Sequence, residues 1–97
     1  MTDAELLEII AQAADKDWTA LDLSNKGITT IPHELEQLTN LQKLNLGWNK
    51  IAKIPSFISQ LTDLQELNLG CNKITDIPAY IGQLTNLQKL HLLYNQM

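Results

Sequence analysis

The most reactive side chains in this 97-residue sequence are one cysteine, Cys71, and two histidines, His33 and His91. A cysteine nucleophile needs a base within hydrogen-bonding distance and a third group that orients the base. A tight metal site needs three or four ligands. Cys71 and His91 occupy different positions of a repeated pattern, and His33 falls on its opposite side. The sequence therefore predicts no catalytic residue, no metal ligand and no bound cofactor.

The elements that position these side chains repeat at a constant interval along the chain. The repeat reads L-x-x-L-x-L-x-x-N-x-I-x-x-I-P-x-x-I-x-x-L-x-x, and successive copies begin at Trp18, Leu41, Leu64 and Leu87. A unit this short cannot bury its apolar side alone, so it must pack against its neighbours. Lys26 replaces the asparagine of the first copy, where we expect a looser turn. The pattern predicts a stack of coils instead of one closed core.

The repeat resembles the leucine-rich repeat, and its length and Ile-Pro pair are similar to the intracellular type found in Ras-group and bacterial Roco repeat domains. The resemblance implies an α/β solenoid, a right-handed coil with a parallel concave sheet and short helical or irregular convex segments. It divides the chain into an N-terminal capping helix, residues 1–17, and repeats at 18–97, with copies at 18–40, 41–63, 64–86 and a partial copy at 87–97. It implies a surface that binds protein partners.

The segment before the first copy predicts an amphipathic helix. Its apolar residues recur at helical spacing, and Thr2 and Glu5 have the spacing of a capping box. The predicted apolar face comprises Leu6, Leu7, Ile10, Ala13 and Ala14. Since the first coil of a stack leaves one apolar end open, we expect the helix to cover that end.

Composition narrows the class of partner and the compartment. The formal charge is −4, and the seven basic residues are all lysines. Nucleic-acid binders commonly carry an arginine-rich basic stripe, so we expect no nucleic acid partner. No apolar run approaches the ~20 residues of a membrane span, so we expect no membrane association. A lone cysteine cannot form an internal disulfide, which favours a reducing compartment, the cytoplasm.

The L-x-L segment of each copy predicts a short strand with its leucines turned inward. Residues one repeat apart then form columns across the sheet, and the residues between the leucines are the binding candidates. Trp48 and Tyr94 are the first of these because large aromatics supply contact area, and we expect the neighbouring Gly47 and Gly70 to leave space for an incoming side chain. The predicted partner-binding set is Asn45, Trp48, Glu66, Asn68, Cys71, Lys89, His91 and Tyr94.

Two alternatives accompany this prediction. Trp48, Cys71 and Tyr94 could instead only pack on one another at the edge of the sheet. The chain could also be a segment of a larger signalling protein such as a Roco-type GTPase, or a small self-associating structural array.

The fourth copy carries leucines for which the pattern provides no cover. An uncovered apolar end and an unpaired strand favour association. The sequence therefore predicts a homodimer that forms through the last copy, with the segment of a longer repeat array as the alternative. The predicted self-association residues are Leu90, Leu92, Leu93 and Met97.

Overall fold

The computed structural model describes residues 1–97 and contains one helix, four short strands and three 3₁₀ helices. Helix α1 spans Asp3–Asp15. The strands are β1 (Ala20–Asp22), β2 (Lys43–Asn45), β3 (Glu66–Asn68) and β4 (Lys89–His91). The 3₁₀ helices, at His33–Gln37, Ser56–Gln60 and Ala79–Gln83, lie on the opposite side of the first three coils. These elements confirm the predicted α/β solenoid with a helix before its first coil.

The four strands form one parallel sheet in the order of the sequence. Leu21, Leu44, Leu67 and Leu90 stand opposite one another in neighbouring strands. Because every coil has the same length, the register advances by one full repeat from strand to strand. Side chains at equivalent repeat positions therefore form columns across the sheet, as the pattern predicts.

The repeated apolar positions fill the interior of the stack. Twenty-one buried hydrophobic residues form one continuous core that includes the strand leucines and the isoleucines of the convex side. Leu44, Leu67 and Ile74 are almost completely inaccessible to solvent, which confirms that the aligned leucines point inward. In the fourth coil, Leu90 and Leu92 are half-buried against this core.

A column of asparagines fastens each coil to the coil before it. The Asn49 Oδ1 accepts hydrogen bonds from the backbone N–H groups of Lys26 and Ile28, both at 3.0 Å. Its Nδ2 donates to the carbonyl of Leu23 in the preceding coil and to the carbonyl of Leu46 in its own. The side chain thus satisfies backbone groups of two coils at their bends.

This arrangement corrects the expectation of a loose turn at Lys26. Asn49 holds that turn from the second coil, so the bend of the first coil does not need an asparagine of its own. Asn49 reaches back to the coil before its own. An asparagine at position 26 would have no such coil to reach, because only α1 precedes the first coil. Gly27, with φ of +68°, adopts a left-handed conformation that glycine accommodates without steric cost.

Helix α1 covers the open end of the first coil, as predicted. Leu6, Ile10 and Ala13 are buried in the common core, but Leu7, which was predicted on the same apolar face, is exposed and lies outside the core. The capping box is present: the Glu5 N–H donates to the Thr2 hydroxyl, and the Glu5 carboxylate accepts from the Thr2 backbone N–H. These bonds from Thr2 lower the pKa of Glu5 below its ordinary value.

Candidate functional site

The concave sheet presents two outward side chains from every strand. The middle leucine of each strand points into the core, so the residues on either side of it point away from the core. One outward column contains Asp22, Asn45, Asn68 and His91, and the other contains Ala20, Lys43, Glu66 and Lys89. The structure therefore brings Asn45, Glu66, Asn68, Lys89 and His91 of the predicted binding set together on one surface.

The amide groups of Asn45 and Asn68 have a fixed direction. The Oδ1 of Asn45 accepts a hydrogen bond from the Gly47 N–H at 2.9 Å, and the Oδ1 of Asn68 accepts one from the Gly70 N–H at 2.9 Å. A backbone N–H is a donor, so it can only be met by the amide oxygen. Each NH₂ group consequently points away from the bend, and neither donates a hydrogen bond within the protein.

Gly47 and Gly70 make room for these amides. A Cβ at position 47 would lie 3.2 Å from the Asn45 Oδ1 and 3.3 Å from the Asn68 Oδ1. A Cβ at position 70 would lie 3.2 Å from the Asn68 Oδ1. The expectation that the glycines leave space for an incoming side chain is therefore wrong, because the asparagine amides already occupy that space.

The first member of this column is anionic. The Asp22 carboxylate accepts hydrogen bonds from the Ser24 hydroxyl at 2.6 Å and from the Ser24 backbone N–H at 2.9 Å. These two bonds, with the hydroxyl contributing most, lower the pKa of Asp22 below the ordinary value of an aspartate. The column therefore begins with an acceptor at Asp22 and continues with donors at Asn45 and Asn68.

The second column alternates in charge across neighbouring strands. The Lys89 ammonium lies 3.6 Å from the Glu66 carboxylate, and both side chains are partly exposed to solvent. An exposed pair of this kind contributes only ~0 to 1 kcal/mol to stability. Lys43, on the other side of Glu66, takes part in neither of the protein's two ion pairs. Its ammonium group is free to contact a ligand.

A shallow cavity of about 410 Å³ lies over the two columns. Four residues of the predicted binding set line this cavity, namely Asn45, Glu66, Asn68 and His91. Asp22 and Lys43, which also line the cavity, were not included in that set. Their signal was present in the sequence, because each occupies the same repeat position as a residue of the predicted set.

The aromatic candidates lie beside this cavity and not over it. Trp48, Cys71 and Tyr94 follow the strands at the bends, where their backbones are left-handed with φ of +57°, +56° and +63°. The Trp48 and Tyr94 side chains are 71% and 74% exposed, so they extend into solvent along one lateral edge of the sheet. The structure thus keeps these three residues in one column, and none of them lines the cavity.

The remaining candidates of the sequence are also dispersed. Cys71 is a half-buried free thiol, and no group of three His, Cys, Asp or Glu side chains lies close enough together to hold a metal ion. Of the predicted self-association residues, Leu93 and Met97 are exposed, with Leu93 71% accessible. Helix α1 is too short and too polar to cross a membrane, and it is the only α-helix.

The sequence and the fold are similar to those of known proteins. The sequence profile of the leucine-rich repeat region matches residues 20–96. A crystal structure of an internalin from Listeria monocytogenes is 36% identical with a TM-score of 0.80, over 96% of this chain and 30% of that one. A leucine-rich repeat protein from Leptospira interrogans is 36% identical with a TM-score of 0.58, over 88% of this chain and 28% of that one. The chain thus spans less than a third of either structure. No curated protein sequence matches it.

Proposed function

The chain belongs to the leucine-rich repeat family, and on this premise we propose that it is a non-catalytic module that binds a protein partner on its concave sheet. Proteins of this family generally mediate protein–protein interactions and are typically not enzymes. Solenoids of this kind use their extended concave surfaces for binding. The proposal places Asn45, Glu66, Asn68, Lys89 and His91 in contact with the partner, with Trp48, Cys71 and Tyr94 at the lateral edge.

The observation that carries the proposal is the fixed direction of the two concave amides. Asn45 and Asn68 are half-buried, their oxygens are engaged by the bends, and their NH₂ groups donate to nothing within the protein. Preorganised donors lose little conformational freedom when a ligand binds. A partner that places carbonyl or carboxylate oxygens over this column would complete these hydrogen bonds.

The charged neighbours of the amides restrict which partners fit. Asp22 and Glu66 offer acceptors on the same surface, while Lys43 and Lys89 offer donors. Charges on an interface mainly select the partner and its orientation, because their net contribution to affinity is small. The cytoplasmic location is part of this proposal, and the unpaired thiol of Cys71 supports it.

The test compares the two faces with matched substitutions. The chain has one histidine on each face, and each has an acidic residue nearby on its own face: His91 with Glu66 on the concave side, and His33 with Glu34 on the convex side. Affinity capture from the source cells uses the wild-type chain, the variant Glu66→Ala with His91→Ala, and the variant Glu34→Ala with His33→Ala.

We expect the concave variant to lose the captured partner and the convex variant to retain it. Both variants remove the same residue types and the same charge, so the comparison isolates the face. Retention of the partner by the concave variant, with circular dichroism unchanged, would place the binding surface elsewhere.

A further inference from the structure

The four bends that follow the strands form a lateral surface of uniform charge, here called the bend edge. It consists of residues 24–27, 47–50, 70–73 and 93–96. The bend edge contains three lysines, Lys26, Lys50 and Lys73, and no acidic residue, although the whole chain has 11 acidic residues. Eight of those 11 precede residue 41, so the acidic end of the solenoid is α1 and the first coil. The bends of the second and third coils are therefore a local positive region.

The lysines of this edge are available to a ligand. Lys50 and Lys73 occupy the same column in neighbouring coils, and both are exposed. The two ion pairs of the protein are His33 with Glu34 and Lys89 with Glu66, so neither ammonium is paired. Two parallel cationic side chains about 4.8 Å apart at their backbones attract an anionic ligand that lies across the coils.

The aromatic residues of the edge are costly to the fold. A bulky residue with positive φ is strained, and Trp48 and Tyr94 both adopt this conformation while exposing most of their surface. Asn25 occupies the same column in the first coil with φ of +56°, and asparagine tolerates this region well. The bend itself does not require an aromatic side chain, since Asn25 and Cys71 adopt the same conformation, so both aromatic side chains are available for contact with another molecule.

The small side chain of Cys71 between two large ones implies a notch between the two aromatics. Cys71 stands in the coil between Trp48 and Tyr94 and has a much smaller side chain than either. At the strand spacing, the backbones of the two aromatics are about 10 Å apart, which leaves room for one aliphatic side chain between their rings. The edge thus combines an apolar notch with a pair of cationic side chains beside it.

We propose that the bend edge binds an acidic, extended segment of the partner protein, with its carboxylates at Lys50 and Lys73 and one aliphatic side chain over Cys71. This inference deepens the proposed function and rests on it, since the segment belongs to the partner held by the concave sheet. An extended chain rises about 3.3 Å per residue, so about three residues cross from Trp48 to Tyr94. Such a segment would present alternate side chains to the edge.

Single-stranded nucleic acid is the other polymer that uses lysines and aromatics together. Its bases stack on successive aromatic platforms. Here a cysteine separates the two aromatics, and arginine is absent from the chain, so the notch favours an aliphatic side chain over a stacked base. An oligothymidine is therefore included in the test as a competing ligand.

The test is a nuclear magnetic resonance titration of the ¹⁵N-labelled chain. The probe is a peptide of about eight residues, long enough to cross the four coils, with glutamates around one central leucine. We expect chemical-shift changes confined to the bend edge and an affinity that falls with added salt. The same peptide with glutamine in place of glutamate should bind much more weakly.

Charge-matched variants establish where the ligand binds. The double variant Lys50→Gln, Lys73→Gln should weaken binding of the peptide about fivefold, because each exposed ion pair changes the affinity by only a small factor. The control, Lys16→Gln with Lys53→Gln, removes the same charge outside the edge and should have little effect. Cys71→Leu fills the notch, so it should weaken binding of the leucine peptide but not of an all-glutamate peptide.

Three results would overturn the inference: no saturable shifts at the bend edge, equal effects of the two lysine pairs, or stronger binding of oligothymidine than of the acidic peptide. The proposed function would be contradicted by a different result, namely retention of the cellular partner by the concave variant. If the concave variant releases the cellular partner while the edge variants do not, the concave proposal stands and the acidic segment is rejected.

Discussion

Replacement of Asn49 by alanine is the sharpest test of how the coils are held together. The Oδ1 of Asn49 accepts two backbone N–H groups of the first coil, and its Nδ2 lies within 3.2 Å of three backbone carbonyls. An amide has two N–H groups, so the three carbonyls share two hydrogens. The side chain is 8% exposed, which leaves little access for water to replace these bonds.

The expected loss of stability follows from this count. A neutral hydrogen bond contributes about 1 kcal/mol net, and a buried group left without a partner costs about 1 to 3 kcal/mol. The loss of four hydrogen bonds, two accepted and two donated, gives an expected destabilisation of about 3 to 5 kcal/mol for Asn49→Ala. This is a large fraction of the 5 to 15 kcal/mol, roughly, that a small domain possesses.

The assay is urea unfolding followed by far-ultraviolet circular dichroism and tryptophan fluorescence. Asn49→Asp is informative because a carboxylate keeps the two accepted bonds but turns its second oxygen toward the carbonyls of Leu23, Leu46 and Gly47, so at neutral pH it should destabilise the chain at least as much as alanine. Two variants serve as controls. Asn45→Ala loses one half-buried hydrogen bond. Asn95→Ala removes a side chain that joins only the fourth coil to the third. Both should cost less than Asn49→Ala.

A loss below about 1 kcal/mol for Asn49→Ala, or a loss equal to that of Asn45→Ala, would refute this reasoning. It would mean that water satisfies the bends as well as the asparagine does. A changed slope of free energy with urea would instead indicate that part of the stack unfolds separately. Only the first of these two outcomes would show that the asparagine column does not fasten the coils together; separate unfolding of the first coil would support that role.

Three further predictions concern the surface. Trp48→Asn, which copies Asn25 of the same column, should raise stability by about 0.5 to 1 kcal/mol in urea unfolding while weakening capture of the partner, because it relieves strain and removes contact area. The pKa of the Asp22 carboxyl, followed in ¹³C spectra, should lie below that of an ordinary aspartate. Its small contribution to stability is therefore present at neutral pH and is lost as the pH falls through the folded-state pKa. Ser24→Ala should raise this pKa, because it removes the hydroxyl that donates to the carboxylate. Self-association through the fourth coil remains a prediction, for which sedimentation should show a dimer that Leu93→Asp dissociates, and a wild-type monomer at high concentration would contradict it.

Several features of the candidate binding surface could be predicted from individual residues. Asn45, Asn68 and His91 occupy the same position of successive repeats between inward leucines, so their shared column follows from the period alone. The pairing of Lys89 with Glu66 follows in the same way, because the parallel register places position 89 beside position 66. These predictions succeed because a repeat converts sequence spacing directly into spatial neighbourhood.

Other features required the folded chain. The outward NH₂ groups of Asn45 and Asn68 depend on backbone N–H groups at the glycines, and the period contains no information about that direction. Trp48 and Tyr94 were expected among the concave binding residues; they adopt left-handed backbones at the bends and do not line the cavity over the two columns. Side-chain direction at a bend depends on φ, which the residue types alone do not specify when the residues are bulky.

The sequence by itself therefore determined the solenoid, its sheet, its core and the columns of its surface, because every repeat has the same local pattern and packs against a neighbouring repeat of the same length. Only the tertiary structure decided which atoms those columns present to a partner. Amide direction, exposure of the aromatics and the clamp from Asn49 onto Lys26 arise from contacts between coils, and such contacts exist only after the coils are stacked.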